Sequence, residues 1–287
     1  MRTFTTYFLA IQHVSTSLIM SYPLLGSIRF PKLKDAKQRS FNLSDIRVTI
    51  NLHPLSTRWR EEGQFQSQLN IFDDDAFGFE ASDIGYRPCY ESTWDIKGTP
   101  LIGKELSDLD FRLILAKCNN KDNLFISGSL LDIVKSESLQ LFNDDKYYLN
   151  VTALKEVEDT AINGLNFTFH TNEVEYKTRG DSIEYIWTIS ITEKHFLQFI
   201  FSLTENDKIQ PHISSVKDYC TSIMQTVQID FPDWVEREKA AAASVSKEIN
   251  QGVAMEPLIW KREAETGSYL DFKREASEKA KQTEEQN

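Results

Sequence analysis

The clearest pattern in this chain is the alternation of apolar and polar residues between positions 165 and 203. The apolar positions fall into three runs: Leu165, Phe167 and Phe169, then Ile183, Tyr185, Trp187, Ile189 and Ile191, then Leu197, Phe199, Phe201 and Leu203. A period of two over such lengths is typical of strands with one buried face. The short spacer Arg179-Gly180-Asp181 favours a hairpin between the first two runs, so the pattern predicts an antiparallel sheet.

An amphipathic helix is predicted directly after this sheet. Beyond Pro211 the apolar residues recur at intervals of three and four, at Ile213, Val216, Cys220, Ile223 and Val227. That spacing lays one apolar stripe on the sheet, and Cys220 within it is interpreted as a small core residue and not as a reactive thiol. The sequence therefore predicts an α+β fold, with antiparallel sheets packed against helices. No inward-facing position of this part of the chain carries chemistry.

Residues 1–142 are predicted to be mostly β. Alternating apolar positions mark strands at 46–52, 65–71 and 111–115, with a short apolar strand at 124–126. Between the second and third strands, residues 73–103 are rich in Asp, Gly and Pro and show no period. A structureless connection of that length is unusual, so it is either a functional loop or an unrecognised element. Residues 130–142 have the spacing of a helix.

Changes in composition divide the chain into three parts. The polar break Asn143-Asp144-Asp145 separates a β-rich unit, 1–142, from a second unit, 143–232, which holds the antiparallel sheet and its closing helix. The turn signal Ile162-Asn163-Gly164 precedes the first strand of that sheet. Residues 233–287 are rich in Ala, Glu and Lys and are predicted to be a helical tail that frays at its polar end.

The tail contains a short internal repeat. Residues 258–264 match residues 270–276, and each copy places an aromatic residue, Trp260 or Phe272, beside a Lys-Arg pair. One interpretation is a pair of short docking elements with aromatic anchors. The other is coincidence within a Lys- and Glu-rich segment, so the aromatic residues are candidates for partner binding or for packing of the tail on the body.

Charge narrows the classes of partner. The chain of 287 residues has a formal net charge of −11, which repels nucleic-acid phosphates. Its compact basic pairs, Lys261-Arg262 and Lys273-Arg274, are each followed by glutamate. Nucleic acid is therefore not expected as a partner, and a basic protein is. Hydrophobic residues make up 40% of the chain, which is enough for a core and excludes wholesale disorder.

The N-terminal residues bear on where the protein resides. Residues 4–26 lean apolar, but Gln12 and His13 interrupt them, and no apolar run reaches the roughly 18 residues of a membrane span. The three cysteines, an odd number without a CxxC motif, argue against a disulfide scaffold. We expect a soluble, cytoplasmic protein without a transmembrane segment. The alternative is export, if residues 1–26 act as a signal peptide.

No local motif for metal binding is present. No two of the five histidines stand at helical ligand spacing, and HExxH is absent, so no transition-metal site is predicted. Asp73-Asp74-Asp75 begins like a calcium loop but places Ile84 where an EF-hand needs a bidentate acid. It is interpreted as a solvated acidic turn or as a patch for a basic partner. His170 and His195 lie in neighbouring β runs and are either solvent-facing or able to meet across the sheet.

Catalytic and cofactor motifs are also absent. There is no GxSxG nucleophile, and the 11 glycines form neither GxGxxG nor a Walker loop. Acid pairs such as Asp108 and Asp110 are too common in an acidic chain to nominate a glycosidase. The sequence therefore predicts no cofactor and favours a protein that is not an enzyme. A catalytic site assembled from distant residues stays open as an alternative.

Part of the chain resembles a known superfamily through its order of elements. The order is a strand at Tyr147-Tyr148-Leu149-Asn150-Val151, the turn Ile162-Asn163-Gly164, hairpin strands at 182–191 and 195–203, a helix at 215–223 and the short strand Val227-Gln228-Ile229. Residues 147–231, about 30% of the chain, resemble the superfamily of the photosystem protein PsbP and the Ran-binding nuclear import factor, which includes chaperones associated with type VI secretion effectors. The resemblance implies an antiparallel sheet sandwiched by helices and a binding role. It assigns no functional residue.

The sequence thus predicts a non-catalytic, acidic protein-binding module. The most specific hypothesis is an immunity- or chaperone-type partner of a basic bacterial effector, with complementary charge steering their association. The alternatives are an enzyme whose site lies between the two units and an exported, envelope-associated binding protein. The candidate partner-binding residues are Asp73, Asp74 and Asp75 in the acidic loop, and Trp234, Trp260 and Phe272 as aromatic anchors.

Overall fold

The computed structural model describes residues 28–54, 67–78, 83–98, 105–119, 123–126, 128–143, 148–177, 180–245 and 256–261. The strands are β1 (Lys37–Leu43), β2 (Ile46–Leu52), β3 (Gln68–Leu69), β4 (Ile84–Lys97), β5 (Glu105–Cys118), β6 (Tyr148–Ile162), β7 (Leu165–Tyr176), β8 (Ser182–Ser190), β9 (His195–Thr204), β10 (Gln228–Asp230) and β11 (Leu258–Lys261). The α-helices are α1 (Ser129–Asn143), α2 (Ile213–Met224) and α3 (Asp233–Val245). None of the described helices is long and apolar enough to cross a membrane.

These strands form two sheets. The smaller has four strands in the order β10-β2-β1-β3, and the larger has seven in the order β11-β6-β7-β8-β9-β5-β4. Within the described residues all pairs are antiparallel except β1 with β3, which is parallel. The predicted α+β class with antiparallel sheets is confirmed. The predicted alternations at 183–191 and 197–203 correspond to β8 and β9, and the predicted helix after Pro211 corresponds to α2.

The predicted turn before the central strands is a two-residue hairpin loop. Asn163 and Gly164 have φ values of 52° and 79°, and Ile162 pairs directly with Leu165. Asn-Gly suits this loop because both positions need positive φ. The Asn163 side chain also donates to the carbonyl oxygens of Gln225, at 2.9 Å, and Val227, at 2.7 Å. The turn therefore ties the β6–β7 hairpin to the end of α2.

The main core lies on the inner face of the seven-stranded sheet, which packs against the four-stranded sheet and α2. Five aromatic rings cross this face from β7 to β4, and we call them the aromatic row: Phe169, Trp187, Phe201, Phe111 and Trp94. The centroid distances between successive rings are 4.6, 5.7, 4.9 and 5.9 Å. Each such aromatic pair is worth about 0.5–1.5 kcal/mol beyond the area it buries.

The larger sheet contains strands from both sides of the predicted boundary at residue 143. β5 pairs with β9 from Leu109 opposite Leu203 to Lys117 opposite His195. β10, which follows α2, pairs with β2 in the smaller sheet. Each sheet therefore contains strands from both predicted units, and both units contribute to the core between the sheets.

Three sequence predictions in the first half are corrected. The stretch 73–103 contains the fourteen-residue strand β4, which the alternation missed because a bulge between Pro88 and Tyr90 shifts the register and polar residues such as Ser92 are buried. Residues 124–126 form a turn. The strand predicted at 65–71 reduces to β3 among the described residues, because only Gln68 and Leu69 pair with β1.

The prediction of a helical tail is also corrected. The tail begins as helix α3, but Leu258–Lys261 forms strand β11, which pairs with β6 at the edge of the larger sheet. Pairing with β6 places Trp260 against Phe142, at a centroid distance of 5.7 Å, and this contact outweighs local helix propensity. The second copy of the repeat, with Phe272, lies outside the described residues.

Strand β11 offers a direct test of packing in the tail. Trp260 faces the cluster of Phe142 and Tyr148, whereas its neighbour Ile259 is 59% exposed. We expect Trp260→Ala to lower the free energy of unfolding by about 2 kcal/mol, because a partly buried aromatic contact is lost. Ile259→Ala, on the opposite face, is expected to change it by less than about 0.5 kcal/mol. Urea unfolding measures both, and equal effects would contradict this placement of β11.

Candidate functional site

The outer face of the seven-stranded sheet is polar, yet it is buried. His170 and Asn172 on β7 and Gln198 on β9 are 2%, 3% and 4% exposed. The register aligns Asn172 with Glu184 on β8, and β5 contributes Arg112 opposite Ile200. Buried polar groups are expensive unless they are hydrogen-bonded, so this face requires a set of mutual partners.

Helix α1 covers this polar face. Ile133, near its start, packs with Ala116 and Phe196 of the sheet. Phe142, near its end, packs with a second cluster that includes Leu154. The helix rests on these two apolar contacts, so the part of the face between them is covered without being filled.

A cavity of about 270 Å³ remains between α1 and the sheet, and we call it the α1 cavity. Its apolar lining is Ile114, Ile186 and Ile200, with Phe142, Tyr148 and Tyr176 as aromatic walls. Half-exposed Leu141 and partly exposed Arg112 also line it, which places its mouth beside them. Residues from both predicted units contribute, as the hypothesis of a site assembled between them requires.

The first carboxylate of the α1 cavity, Glu184, is part of a closed network. Arg112 Nη2 lies 3.2 Å from Glu184 Oε1. Asn172 Nδ2 donates to Glu184 Oε2 at 3.2 Å, and the Ser202 hydroxyl donates to Oε1 at 3.3 Å. Three donors, one of them cationic, compensate the buried charge.

The second carboxyl group, Glu137, is balanced differently. Gln198 Nε2 donates to its Oε2 at 2.9 Å, and the Tyr86 hydroxyl also bonds it. Burial is the largest influence and raises the pKa of Glu137 to about 7, against the opposite effect of these two hydrogen bonds. The nearby negative charge of Glu184 raises it further. Near neutral pH the Glu137 carboxyl group is therefore present in both its protonated and its ionised form. Such a group can serve as a general acid, as a general base or as an ionic contact for a ligand.

His170 lines the α1 cavity with a buried polar ring. Its Nδ1 is buried without a hydrogen-bond partner. Burial lowers the pKa of His170 to about 3, so its ring is neutral over the physiological range. His170 therefore contributes a neutral, polar ring to the lining of the cavity.

His170 and His195 do not meet. His195 is aligned with Lys117 and shares the inner face with Phe199, whereas His170 is on the outer face with Gln198. His195 Nδ1 lies 2.8 Å from the Thr192 hydroxyl. The two side chains therefore point to opposite faces of the sheet, because side-chain direction alternates along each strand. The hypothesis of a histidine pair across the sheet is wrong.

Two of the predicted partner-binding elements come together elsewhere on the molecule. Phe72 is 61% exposed, and its ring centroid lies 5.9 Å from that of Trp234. Asp73 and Asp75 are exposed directly after Phe72. We call these four residues the acidic–aromatic patch. Asp74 is engaged otherwise, in an ion pair with Lys117.

The remaining candidates lie apart from this patch. Trp260 packs on Phe142 and so supports the wall of the α1 cavity from behind.

A separate group of carboxylates, Asp95, Glu105 and Asp108, has oxygens within 4.8 Å of one another, a geometry that could hold a cation. Burial and the neighbouring Glu105 raise the pKa of Asp108 to about 6. Lys97 pairs with Asp95 at 3.4 Å and offsets part of that charge.

The sequence analysis missed the residues of the α1 cavity because it interpreted the alternating pattern as a sheet with one buried face and one solvent-exposed face. Glu184 and Gln198 occupy the polar positions of the predicted strands. The signal that could have revealed them is the apolar spacing at 130–142, because a helix with an apolar stripe needs a surface to cover. Because α2 covers the inner face of the sheet, the polar outer face is the surface that remains for α1 to cover.

The raised pKa of Glu137 predicts a distinctive pH dependence of stability. Between pH 4.5 and 7 the folded protein holds this proton and the unfolded chain loses it, so the free energy of unfolding falls as pH rises. The full effect is about 3 kcal/mol. Urea unfolding between pH 5 and 8 should show this decline in the difference between wild type and Glu137→Gln. Parallel curves for the two proteins would contradict it.

Comparison with known proteins gives no indication of the function of this chain. No protein-family model matches the chain, and neither curated proteins nor solved structures give a significant match. The resemblance of residues 147–231 to the superfamily of PsbP and the Ran-binding import factor stays a prediction. What the chain does must be argued from the geometry of the α1 cavity and of the acidic–aromatic patch.

Proposed function

We propose that this protein binds a small polar molecule in the α1 cavity. The observation that carries the proposal is a cavity whose lining brings together the titratable Glu137, the Glu184 carboxylate and the neutral ring of His170. An enclosed space with apolar and aromatic walls and a few convergent polar groups is the usual form of a small-molecule site. At about 270 Å³ the cavity suits a ligand of modest size.

A purely structural role explains this arrangement less well. A buried polar atom without a partner costs about 1–3 kcal/mol. Ile186, the register partner of His170, and Ile200 show that apolar side chains fit the same layer. A core selected only for stability would be expected to place an apolar residue at position 170 as well. A ligand that contacts the imidazole ring in the cavity lining accounts for the histidine.

The proposal predicts that stability and binding respond oppositely at position 170. We expect His170→Leu to raise the free energy of unfolding by about 1 kcal/mol, since it removes an unsatisfied polar atom. The same substitution should abolish binding of ligands that occupy the α1 cavity. Thermal melts give the stability, and ligand-observed NMR with a fragment library of cations, neutral molecules and anions gives the binding.

Thr188 provides the matched control. Its hydroxyl is also buried without a partner, on the same face of the sheet, but it is not among the residues that line the cavity. Thr188→Val should therefore stabilise the protein similarly and leave fragment binding unchanged. Fragments that bind wild type and His170→Leu equally well would overturn the assignment of this cavity.

Catalysis is a possible extension of the same site. The hypothesis of an enzyme assembled between the two units requires a cleft with a pKa-shifted carboxyl group, and Glu137 meets that requirement. Chemical change in a molecule that binds the cavity would identify the protein as an enzyme. Binding without change would identify it as a receptor or carrier.

A second candidate function, binding of a basic protein partner, is favoured by the acidic–aromatic patch. Exposed aromatic residues beside carboxylates are suited to docking, because the ring supplies buried area and the charges steer association. A role as an immunity- or chaperone-type partner of a basic effector, in the cytoplasm or after export, remains part of this proposal. The contact of Trp234 with Phe72 supports this proposal, whereas Trp260 packs on Phe142.

The patch is tested by a combined variant. Phe72→Ala with Asp73→Asn and Asp75→Asn should reduce the capture of a basic partner from native lysate at least about tenfold, because an aromatic anchor and two charges are lost. The captured partner should also be released by moderate salt. Quantitative mass spectrometry of the pull-down measures both effects.

The control removes similar groups from another surface. Leu139 is 45% exposed, and Asp132 and Asp207 are exposed away from the patch. Leu139→Ala with Asp132→Asn and Asp207→Asn has the same change in charge and should retain capture. Equal loss in both combined variants would show that net charge alone governs the interaction and would remove the patch as a specific site.

A further inference from the structure

We infer that the α1 cavity selects a small organic cation, an inference that rests on the ligand-binding function proposed above. It names the class of ligand for that site, an ammonium or similar monocation with a small apolar body. Hydrogen bonding, charge and the aromatic walls each lead to this class.

The hydrogen bonds of the cavity leave acceptors in excess. The donors Tyr86 and Gln198 are directed at Glu137, and the donors to Glu184 are Asn172, Arg112 and Ser202. An ionised carboxylate offers about four acceptor positions, so neither group is saturated by these contacts. A ligand that completes these contacts must itself be rich in N–H donors.

The balance of charge favours the same ligand. Two carboxylates, Glu137 and Glu184, face one guanidinium, Arg112, while buried His170 is neutral. With Glu137 ionised, the cavity therefore carries one uncompensated negative charge. A monocation neutralises it, whereas an anion would add a second negative charge beside the first.

Aromatic rings supply the third feature. Phe142 and Tyr148 are 5.2 Å apart in an edge arrangement, and Tyr148 and Tyr176 are 5.4 Å apart, so three rings form adjoining walls. The faces of aromatic rings attract ammonium groups, and clusters of such rings are a recurrent means of recognising organic cations. The aromatic walls and Glu137 together provide both contacts that an organic cation uses.

Binding of a cation must be linked to release of a proton. The polar and titratable groups that line the cavity with Glu137 are Tyr86 on β4, Arg112 on β5, Tyr148 on β6, His170, Asn172 and Tyr176 on β7, Glu184 on β8, Gln198 on β9 and Ser138 on α1. Burial holds the pKa of Glu137 at about 7 without ligand, and a cation beside it lowers that pKa by favouring the carboxylate. Affinity for the cation therefore rises with pH up to about 7 and is constant above it.

The experiment compares three probes of one shape on the full chain: benzylammonium, benzyl alcohol and benzoate. Isothermal titration calorimetry at pH 6 and pH 8, in buffers of different ionisation enthalpy, measures affinity and proton release. We expect benzylammonium to bind at least about tenfold more tightly than either other probe at pH 8. We also expect its affinity to fall about tenfold at pH 6, with nearly one proton released per molecule bound there.

Two charge-removing variants locate the effect. Glu137→Gln should weaken benzylammonium binding at least about tenfold at pH 8 and abolish the pH dependence and the proton release. Glu158→Gln removes an exposed carboxylate from β6 and should change none of these quantities. If Glu137→Gln does not fold, the probe series and the pH dependence of the wild type still decide the question.

The outcomes separate the two proposals. Benzyl alcohol or benzoate binding as tightly as benzylammonium, with loss in His170→Leu, would overturn the selection of a cation and retain the ligand-binding function. Benzylammonium binding without proton release at pH 6 would also overturn the inference, because Glu137 would not be its partner. Absence of binding by these probes and by every member of the fragment library would overturn both.

Discussion

The aromatic row on the inner face of the seven-stranded sheet is the contact on which the rest of the structure depends. It joins Phe169 on β7 to Trp94 on β4 through three further rings, and these strands come from opposite sides of the predicted boundary. Aromatic pairs bury large areas in specific geometries, so this one face supplies much of the driving force for folding. The outer face therefore does not need to bury a comparable apolar area.

That division of labour explains how a polar layer can persist inside the protein. Helix α1 is anchored at its two ends by Ile133 and Phe142, and the groups beneath its middle need not pack tightly. The polar side chains there are bonded to one another around Glu137 and Glu184, with the nitrogen of His170 left over. Unsatisfied or titratable groups held in a stable frame are typical of functional sites, where stability is given up locally.

The two candidate surfaces of the molecule are physically different. The α1 cavity is concave and lined by two carboxyl groups, one guanidinium and several aromatic rings, so it suits a small ligand. The acidic–aromatic patch is exposed at Phe72, Asp73 and Asp75, so it suits a protein partner. Trp260 belongs structurally to the first, since it packs behind Phe142, although the repeat in the tail had suggested the second.

The sequence by itself determined the central strands, the Asn163-Gly164 turn and helices α1 and α2, because periodicity and turn chemistry are local properties of the chain. Only the tertiary structure decided that the polar face is covered, since Glu137 meets Gln198 across 61 residues. It also decided that Leu258–Lys261 forms a strand, because an open edge of β6 was there to pair with it. Such contacts depend on where distant elements come to rest, and no local pattern encodes that.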